Sequence, residues 1–240
     1  MLSYNWNWSI LFQEPYFGWL LQGLRLTLAM GVASFALALA IGTLVGTART
    51  ARSRAARALA WTYTAIFRNV PLLIQMFLWF YVFPELLPRE LGRWVKRDLY
   101  EPEVTTGVIC LSFFMAARVG EQIRAGIQSV PRGLVSAGLA SGLSTGQIRR
   151  HIVMPICLRI LIPPLTTELL ATFKNTSLAL VIGVLEITAR SHQIESSTFH
   201  GFEAFAAATG LYVGISLLTL AVVLPLERAA RLPGMLKGRG

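Results

Sequence analysis

Residues 125–155 read AGIQSVPRGLVSAGLASGLSTGQIRRHIVMP and lie between two hydrophobic blocks of the chain. The stretch contains five glycines and three arginines but no acidic residue. Connections of this length are uncommon unless they have a function. We interpret the stretch as two short helices that meet at Gly142, because glycine readily adopts the left-handed conformation that ends a helix. Such a pair predicts a docking element for a partner at a membrane surface.

The hydrophobic blocks themselves predict an all-α, polytopic membrane protein. Hydrophobic residues make up 54% of the 240 residues and charged residues only 14%, whereas soluble domains carry about 25% charged residues. A helix needs about 20 mostly apolar residues to cross the hydrocarbon core. Five segments meet this requirement, which predicts a single transmembrane domain over residues 1–240 with five transmembrane helices. The predicted spans are residues 22–48, 58–83, 104–124, 158–185 and 204–226.

The basic residues predict the orientation of these spans. The net charge is +10, but lysine and arginine cluster beside the spans, which indicates topology rather than binding of nucleic acid. Residues 1–24 contain neither lysine nor arginine, whereas the first connection, residues 125–155 and the C-terminal tail are basic. The positive-inside rule therefore places these three segments in the cytoplasm, with the N-terminus outside and the C-terminus inside. The basic residues of the tail are Arg228, Arg231, Lys237 and Arg239.

Residues 84–102 form an insertion that carries four basic and four acidic residues. Its apolar residues recur at roughly helical spacing, and Trp94 suits a membrane interface. We expect an amphipathic helix on the outer surface.

Helix signals divide the glycine-rich stretch further. Ser129 followed by Pro131 predicts a capped helix start with proline in the first turn. Ser144 predicts the cap of a second helix over residues 145–151, which should end before Pro155.

The same stretch resembles the cytoplasmic "EAA loop" of ABC importer permeases, written E-A-A-x3-G-x9-I-x-L-P. The central glycine, its spacing and the terminal proline are intact, whereas serine replaces the glutamate, glycine the second alanine and methionine the leucine. The corresponding residues are Ser136, Ala137, Gly138, Gly142, Ile152, Met154 and Pro155. The resemblance implies that these residues couple the spans to an ATPase.

Other segments are similar to the polar amino-acid family of these permeases, and most similar to its glutamate/aspartate branch. They include FRNVPLLIQMF at residues 67–77, EQIRAGIQSVPRG at 121–133 and KNTSL at 174–178. The resemblance covers nearly the whole chain. It implies the transmembrane domain of a type I ABC importer, which moves an amino acid inward by alternating access.

The resemblance also implies the partners of the chain. They are a homodimeric ABC ATPase, a second permease subunit that is either identical or paralogous, an extracytoplasmic amino-acid-binding protein and the lipid of the cell (inner) membrane. The sequence has no GxxxxGK[ST] motif, so ATP hydrolysis falls to the partner and this chain is not expected to be an enzyme. We expect no cofactor, no catalytic or metal-binding residue and no nucleic-acid partner, and we expect Cys110 and Cys157 to be free buried thiols.

Ionisable and polar residues inside the predicted spans are candidates for the substrate pathway. Arg118 could hold a substrate carboxylate through two parallel hydrogen bonds, or it could pair with Glu121 at the i,i+3 spacing. Glu168 is expected to snorkel or to form an ion pair. The polar cluster Lys174, Asn175, Thr176 and Ser177 could line the pathway or could form hydrogen bonds between helices.

Two other classes of function are compared with the importer. An ion-coupled secondary amino-acid transporter is the alternative, although such proteins usually contain internal repeats and broken helices at matched positions. An intramembrane enzyme would need a Ser-Lys, paired-Asp or His cluster, and no such cluster occurs at usable spacing in the sequence.

Overall fold

Residues 4–230, which the computed structural model describes, form helices and their connections without a strand. A 3₁₀ turn, Trp8–Phe12, precedes the first long helix. The helices in chain order are α1 (Tyr16–Arg49), α2 (Arg54–Asn69), α3 (Leu72–Leu86), α4 (Arg89–Arg93), α5 (Pro102–Gln128), α6 (Arg132–Ala140), α7 (Thr145–Ile182), α8 (Ile187–Thr198) and α9 (Gly201–Ala230).

Four of these helices, α1, α5, α7 and α9, are long and apolar enough to cross a membrane, and α2 with α3 makes a fifth span if the bent pair is counted as one. The all-α fold class is therefore confirmed. The predicted tail residues Arg231, Lys237 and Arg239 lie outside the described residues.

The second span differs from the prediction, because α2 and α3 meet at an angle of 103° instead of forming one helix over residues 58–83. Pro71 causes the break, since it has no N–H and disfavours the helical conformation of the preceding residue. Val70 is accordingly extended (φ −87°, ψ 127°). The buried Gln75 stabilises the bend by donating hydrogen bonds to the carbonyl oxygens of Phe67 (3.0 Å) and Val70 (2.8 Å).

Helices α1 and α5 form the most extensive helix pair of the fold. Glycines allow their backbones to approach closely, as small residues do in membrane proteins generally. A Cβ atom added to Gly46 would lie 2.6 Å from the carbonyl oxygen of Gly120, and one added to Gly42 would lie 2.6 Å from Cγ1 of Val119. The two helices therefore form the centre of the molecule.

The prediction that a helix over residues 145–151 ends before Pro155 is wrong. The helix instead continues for 38 residues, about 57 Å at 1.5 Å per residue. A π-helical turn, Arg149–Val153, widens it immediately before the α-helical part Met154–Asn175 begins. Pro155 lies in the first turn of that part, where its missing N–H is tolerated.

The insertion at residues 84–102 is not one amphipathic helix. The chain turns at Leu87, and α4 is followed by a π-helical turn, Trp94–Asp98. Gly92 packs so closely against α3 that an added Cβ would lie 2.3 Å from the carbonyl oxygen of Pro84. An ion pair between Lys96 and Glu85 also connects the two arms. The insertion is therefore a short helical hairpin.

Candidate coupling loop and membrane pathway

The connection between α6 and α7 is a tight, glycine-dependent turn. Gly142 has a φ of 79°, which confirms the left-handed conformation expected from the sequence. The N–H of Leu143 donates to the carbonyl oxygen of Gly138 (3.1 Å), and the N–H of Gly142 donates to that of Leu139 (3.0 Å). This pair of bonds is the Schellman motif, which satisfies the last carbonyl groups of a helix.

The two predicted helix caps have different outcomes. Ser144 caps α7 as expected, because its hydroxyl accepts from the N–H of Gln147 (3.3 Å) while the Gln147 side chain accepts from the N–H of Ser144 (2.8 Å). Ser129 does not cap α6. Its hydroxyl donates to the carbonyl oxygen of Gly126 (2.8 Å) at the end of α5, and α6 begins after Pro131 without a side-chain cap.

Gly138 connects α6 to α7. It is buried, and a Cβ atom at this position would lie 3.0 Å from Cγ1 of Ile148 and 3.0 Å from Cδ1 of Ile152. Glycine therefore allows α6 to lie directly against the first turns of α7. This close approach gives a physical reason for glycine at the position where the resembling motif has its second alanine.

The opposite side of α6 is exposed. Ser136, Ala137 and Gly142 lie on the surface of the chain, as does Pro155 on α7. Two large apolar side chains, Leu134 (39% exposed) and Leu139 (53% exposed), lie on α6 among them. We call the exposed residues of α6 and Gly142 the coupling surface.

Arg118 pairs with Glu168, not with Glu121 as one of the two sequence interpretations proposed. Its Nε donates to Oε2 of Glu168 at 2.7 Å, and the Gln122 side chain donates to Oε1 of Glu168 at 3.3 Å. Glu121 is engaged elsewhere: Nε of Arg124 donates to it at 2.9 Å, and Arg49 on α1 lies 3.6 Å away.

The Arg118–Glu168 pair is asymmetric. The Glu168 side chain is 4% exposed and the Arg118 side chain 42%. Snorkelling of Glu168 is thus excluded, whereas its expected use in an ion pair is confirmed. Nη2 of Arg118 also donates to Oε1 of Glu168 at 3.4 Å, so the Nε–Nη2 edge of the guanidinium contacts the carboxylate and the N–H groups of Nη1 are not used in this pair.

The four residues of the polar cluster on α7, Lys174 to Ser177, do not share one environment. The amide of Asn175 lies 3.7 Å from Sδ of Met115 on α5, one turn from Arg118. Lys174 is exposed. The hydroxyls of Thr176 and Ser177 donate to the carbonyl oxygens of Phe173 and Lys174 in their own helix, both at 2.7 Å. The amide of Asn175 thus contacts α5 close to Arg118.

The sequence analysis missed two buried carboxylates at the opposite end of the molecule. Glu186 caps α8 by accepting from the N–H groups of Thr188 and Ala189 (both 2.9 Å), and it accepts from the Tyr212 hydroxyl (2.6 Å). Burial raises the pKa of the Glu186 carboxyl, and these bonds oppose the rise. Glu203 accepts from the N–H of Asn7 (2.7 Å) and from Tyr4, which fastens the N-terminal segment to α9.

Residues 38–232 match the family described as binding-protein-dependent transport system inner membrane component. The chain belongs to this family. It is therefore a multi-pass component of an inner membrane, and the resemblance to ABC importer permeases that was inferred from the loop and span motifs is confirmed.

Relatives and a solved structure match nearly the whole chain. The glutamate/aspartate import permease protein GltJ of Escherichia coli (strain K12) is 37% identical over 99% of this chain and 100% of its own length. The glutamate/aspartate import permease protein GltK of Escherichia coli O6:H1 (strain CFT073) is 31% identical over 90% and 97%. The crystal structure of an amino acid ABC transporter with histidines has a TM-score of 0.81 at 22% identity and covers 94% of this chain and 100% of its own. The last match shows the fold alone.

Proposed function

We propose that this chain is the transmembrane permease subunit of an ATP-driven, binding-protein-dependent importer of glutamate and aspartate. The coupling surface is the observation that carries the proposal, because it offers a partner two exposed leucines on a helix packed directly against α7. The choice of substrate rests on the similarity to GltJ and GltK over at least 90% of the chain. ATP hydrolysis belongs to a homodimeric ABC ATPase.

The charges support an orientation with the coupling surface in the cytoplasm and the N-terminus outside. An extracytoplasmic binding protein would then deliver the substrate to the face that contains α8. The second permease subunit is a paralogue, since GltJ and GltK are distinct proteins with the same transport function in their names. A pair of identical copies is the other possible outcome.

The proposed coupling is mechanical. Movement of the ATPase subunits would displace α6, and Gly138 would pass that displacement to Ile148 and Ile152 because it packs against both. Helix α7 continues from this contact to Ile182, and its length of about 57 Å exceeds a hydrocarbon core about 30 Å thick. Alternating access then follows from tilting α7 against α1 and α5.

Arg118 is proposed to bind a substrate carboxylate. Its Nε is held by Glu168, which fixes the plane of the guanidinium, and the remaining N–H groups can form a bidentate pair with a carboxylate. Asn175 on α7 contacts Met115, one turn from Arg118 on α5, and is the next candidate. Lys174, Thr176 and Ser177 remain candidates for lining the route between the two permease subunits.

Reconstituted vesicles test the proposal. The permease, its paralogue, the ATPase and the binding protein should accumulate labelled glutamate only with ATP. Uptake driven by an ion gradient, without ATP and without the ATPase, would instead support the secondary transporter.

A glycine pair tests the coupling surface separately. Gly142→Ala introduces no clash, because no atom lies within 4 Å of the added Cβ, but it puts a Cβ in a left-handed residue at a cost of about 1–2 kcal/mol. We expect it to reduce co-purification with the ATPase. Gly214→Ala on α9, also without a neighbour within 4 Å and outside the coupling surface, is the matched control. Equal co-purification of the two variants would remove Gly142 from the coupling role.

A further inference from the structure

A cleft of about 530 Å³ lies between α1, α5 and the first half of α7. Its wall is mostly apolar and includes Leu39, Ile123 and Leu161. Its polar lining includes Thr43, Thr47 and Arg149. None of the pathway candidates, Arg118 or residues 174–177, lines it. It therefore differs from the proposed substrate route.

The polarity of the cleft changes along its length. Leu39 on α1 and Thr50, the residue that follows α1, are separated by about 16 Å along the helix axis at 1.5 Å per residue. Arg49 marks the end of the uncharged part of α1, and Leu39 lies within that part. The apolar end of the cleft thus faces the membrane core, and the end near Thr50 reaches the level of the head groups. A phospholipid has the same sequence of apolar and polar parts.

The charge at the polar end favours an anion. Arg149 is exposed and forms no ion pair with any residue in the range 4–230. Between residues 122 and 167 the sequence contains no acidic residue. Glu121, the nearest carboxylate before that stretch, is already paired with Arg124 and Arg49. Basic clefts between transmembrane helices are known to bind anionic lipid head groups.

We propose that this cleft binds one anionic phospholipid of the inner leaflet. An acyl chain lies against Leu39, Leu161 and their apolar neighbours, and the phosphate pairs with Arg149. The threonine hydroxyls already donate to backbone carbonyl groups, as Thr47 does to the carbonyl oxygen of Thr43 (2.7 Å), so Arg149 is the lining side chain that can pair with the phosphate. The leaflet, although not the lipid chemistry, rests on the orientation proposed above.

Native mass spectrometry of the full-length permease in detergent tests the proposal, with phosphatidylglycerol as the probe and phosphatidylcholine as the neutral comparison. Arg149→Gln should weaken retention of phosphatidylglycerol about fivefold, the effect of one basic residue at an anionic surface. Arg150→Gln is the matched control, because Arg150 is exposed on the same π-helical turn but does not line the cleft. Equal losses in both variants would overturn the site.

A second variant tests the acyl part of the site. Thr43→Phe fills the cleft from an exposed position and should abolish specific retention while Arg149 is intact. Cys157 reports occupancy, because it lines the cleft and is 5% exposed, whereas Cys110 is fully buried. Phosphatidylglycerol should slow labelling of Cys157 by an apolar maleimide, and Arg149→Gln should need about fivefold more of the lipid for the same protection.

Three other results would each overturn the proposal. Equal retention of both phospholipids would mean that charge plays no part. Protection of Cys157 by inorganic phosphate alone would mean that no acyl chain is bound. Dissociation of a permease dimer by Thr43→Phe would mean that a second permease subunit covers the cleft. A topology measurement that reversed the orientation would change the leaflet and leave these experiments intact.

Discussion

At the scale of single residues, the charge of the buried Glu168 needs its ion-pair partner more than the charge of the half-exposed Arg118 does. The carboxylate side chain is 4% exposed, whereas the guanidinium side chain is 42% exposed. Arg118→Met should therefore leave a buried, unpaired charge and lower the free energy of unfolding by about 3 kcal/mol. The double variant Arg118→Met/Glu168→Met removes both charges and should recover most of the loss. Thermal unfolding in detergent measures the difference.

Arg124→Met serves as the control for this comparison. Glu121 keeps Arg49 as a second cation 3.6 Å away, so the loss should stay below about 1 kcal/mol. Equal losses from Arg118→Met and Arg124→Met would contradict the asymmetry. The stable double variant also separates pairing from transport: if it still takes up glutamate, Arg118 does not bind substrate.

At the scale of helices, close packing of α1 on α5 should make Gly46 intolerant of any side chain. An added Cβ would lie 2.6 Å from a backbone atom, the Gly120 carbonyl oxygen, so the helices would have to separate. Gly46→Ala should cost about 1–3 kcal/mol, as overpacking does in other cores. Gly214→Ala on α9 has no neighbour within 4 Å and should not destabilise the chain. Unfolding midpoints of the two variants test this, and similar midpoints would contradict it.

The helices also show how far the sequence predicts this fold. Hydropathy predicts the spans correctly, because the length of an apolar stretch can be read directly from the sequence. Gly142 is also predictable, because its left-handed conformation depends on the residue itself and not on distant neighbours. The sequence analysis did not predict the bend at Val70, because average hydropathy contains no information about the direction of the helix axis. Pro71 is the residue in the sequence that indicates the bend. Helix α7 was predicted too short because Pro155 resembles a stop, and the π-helical turn before it cannot be inferred from composition.

The candidate site was less accessible to sequence analysis than the fold. Arg118 and Glu168 lie 50 residues apart in the chain, and the sequence offers Glu121 as a nearer partner at helical spacing. Only the packing of α5 against α7 decides between the two. The role of Gly138 was hidden for the same reason, because its neighbours Ile148 and Ile152 belong to the following helix.

At the scale of the whole molecule, the orientation can be tested where the charge argument is weakest. The hairpin at residues 84–102 is proposed to lie outside although it carries four basic residues. Its four acidic residues cancel that charge, and the positive-inside rule counts excess lysine and arginine over all short connections, not over one. We therefore expect Arg97, which is exposed, to be accessible from the outside of intact cells.

Single-cysteine labelling with a membrane-impermeant maleimide provides the measurement. In a Cys110→Ala/Cys157→Ala background, Arg97→Cys and Ser197→Cys should react in intact cells, and Ser141→Cys only after the membrane is opened. All three positions are exposed, so a difference in reactivity reports sidedness and not burial. Labelling of Ser141→Cys in intact cells would put the coupling surface outside, where no ATP is supplied, and would overturn the importer proposal together with the orientation. Labelling of Arg97→Cys only in opened cells would instead place the hairpin inside. Because the connections before α2 and after α5 are proposed to be inside as well, neither the α2–α3 span nor α5 would then cross the membrane.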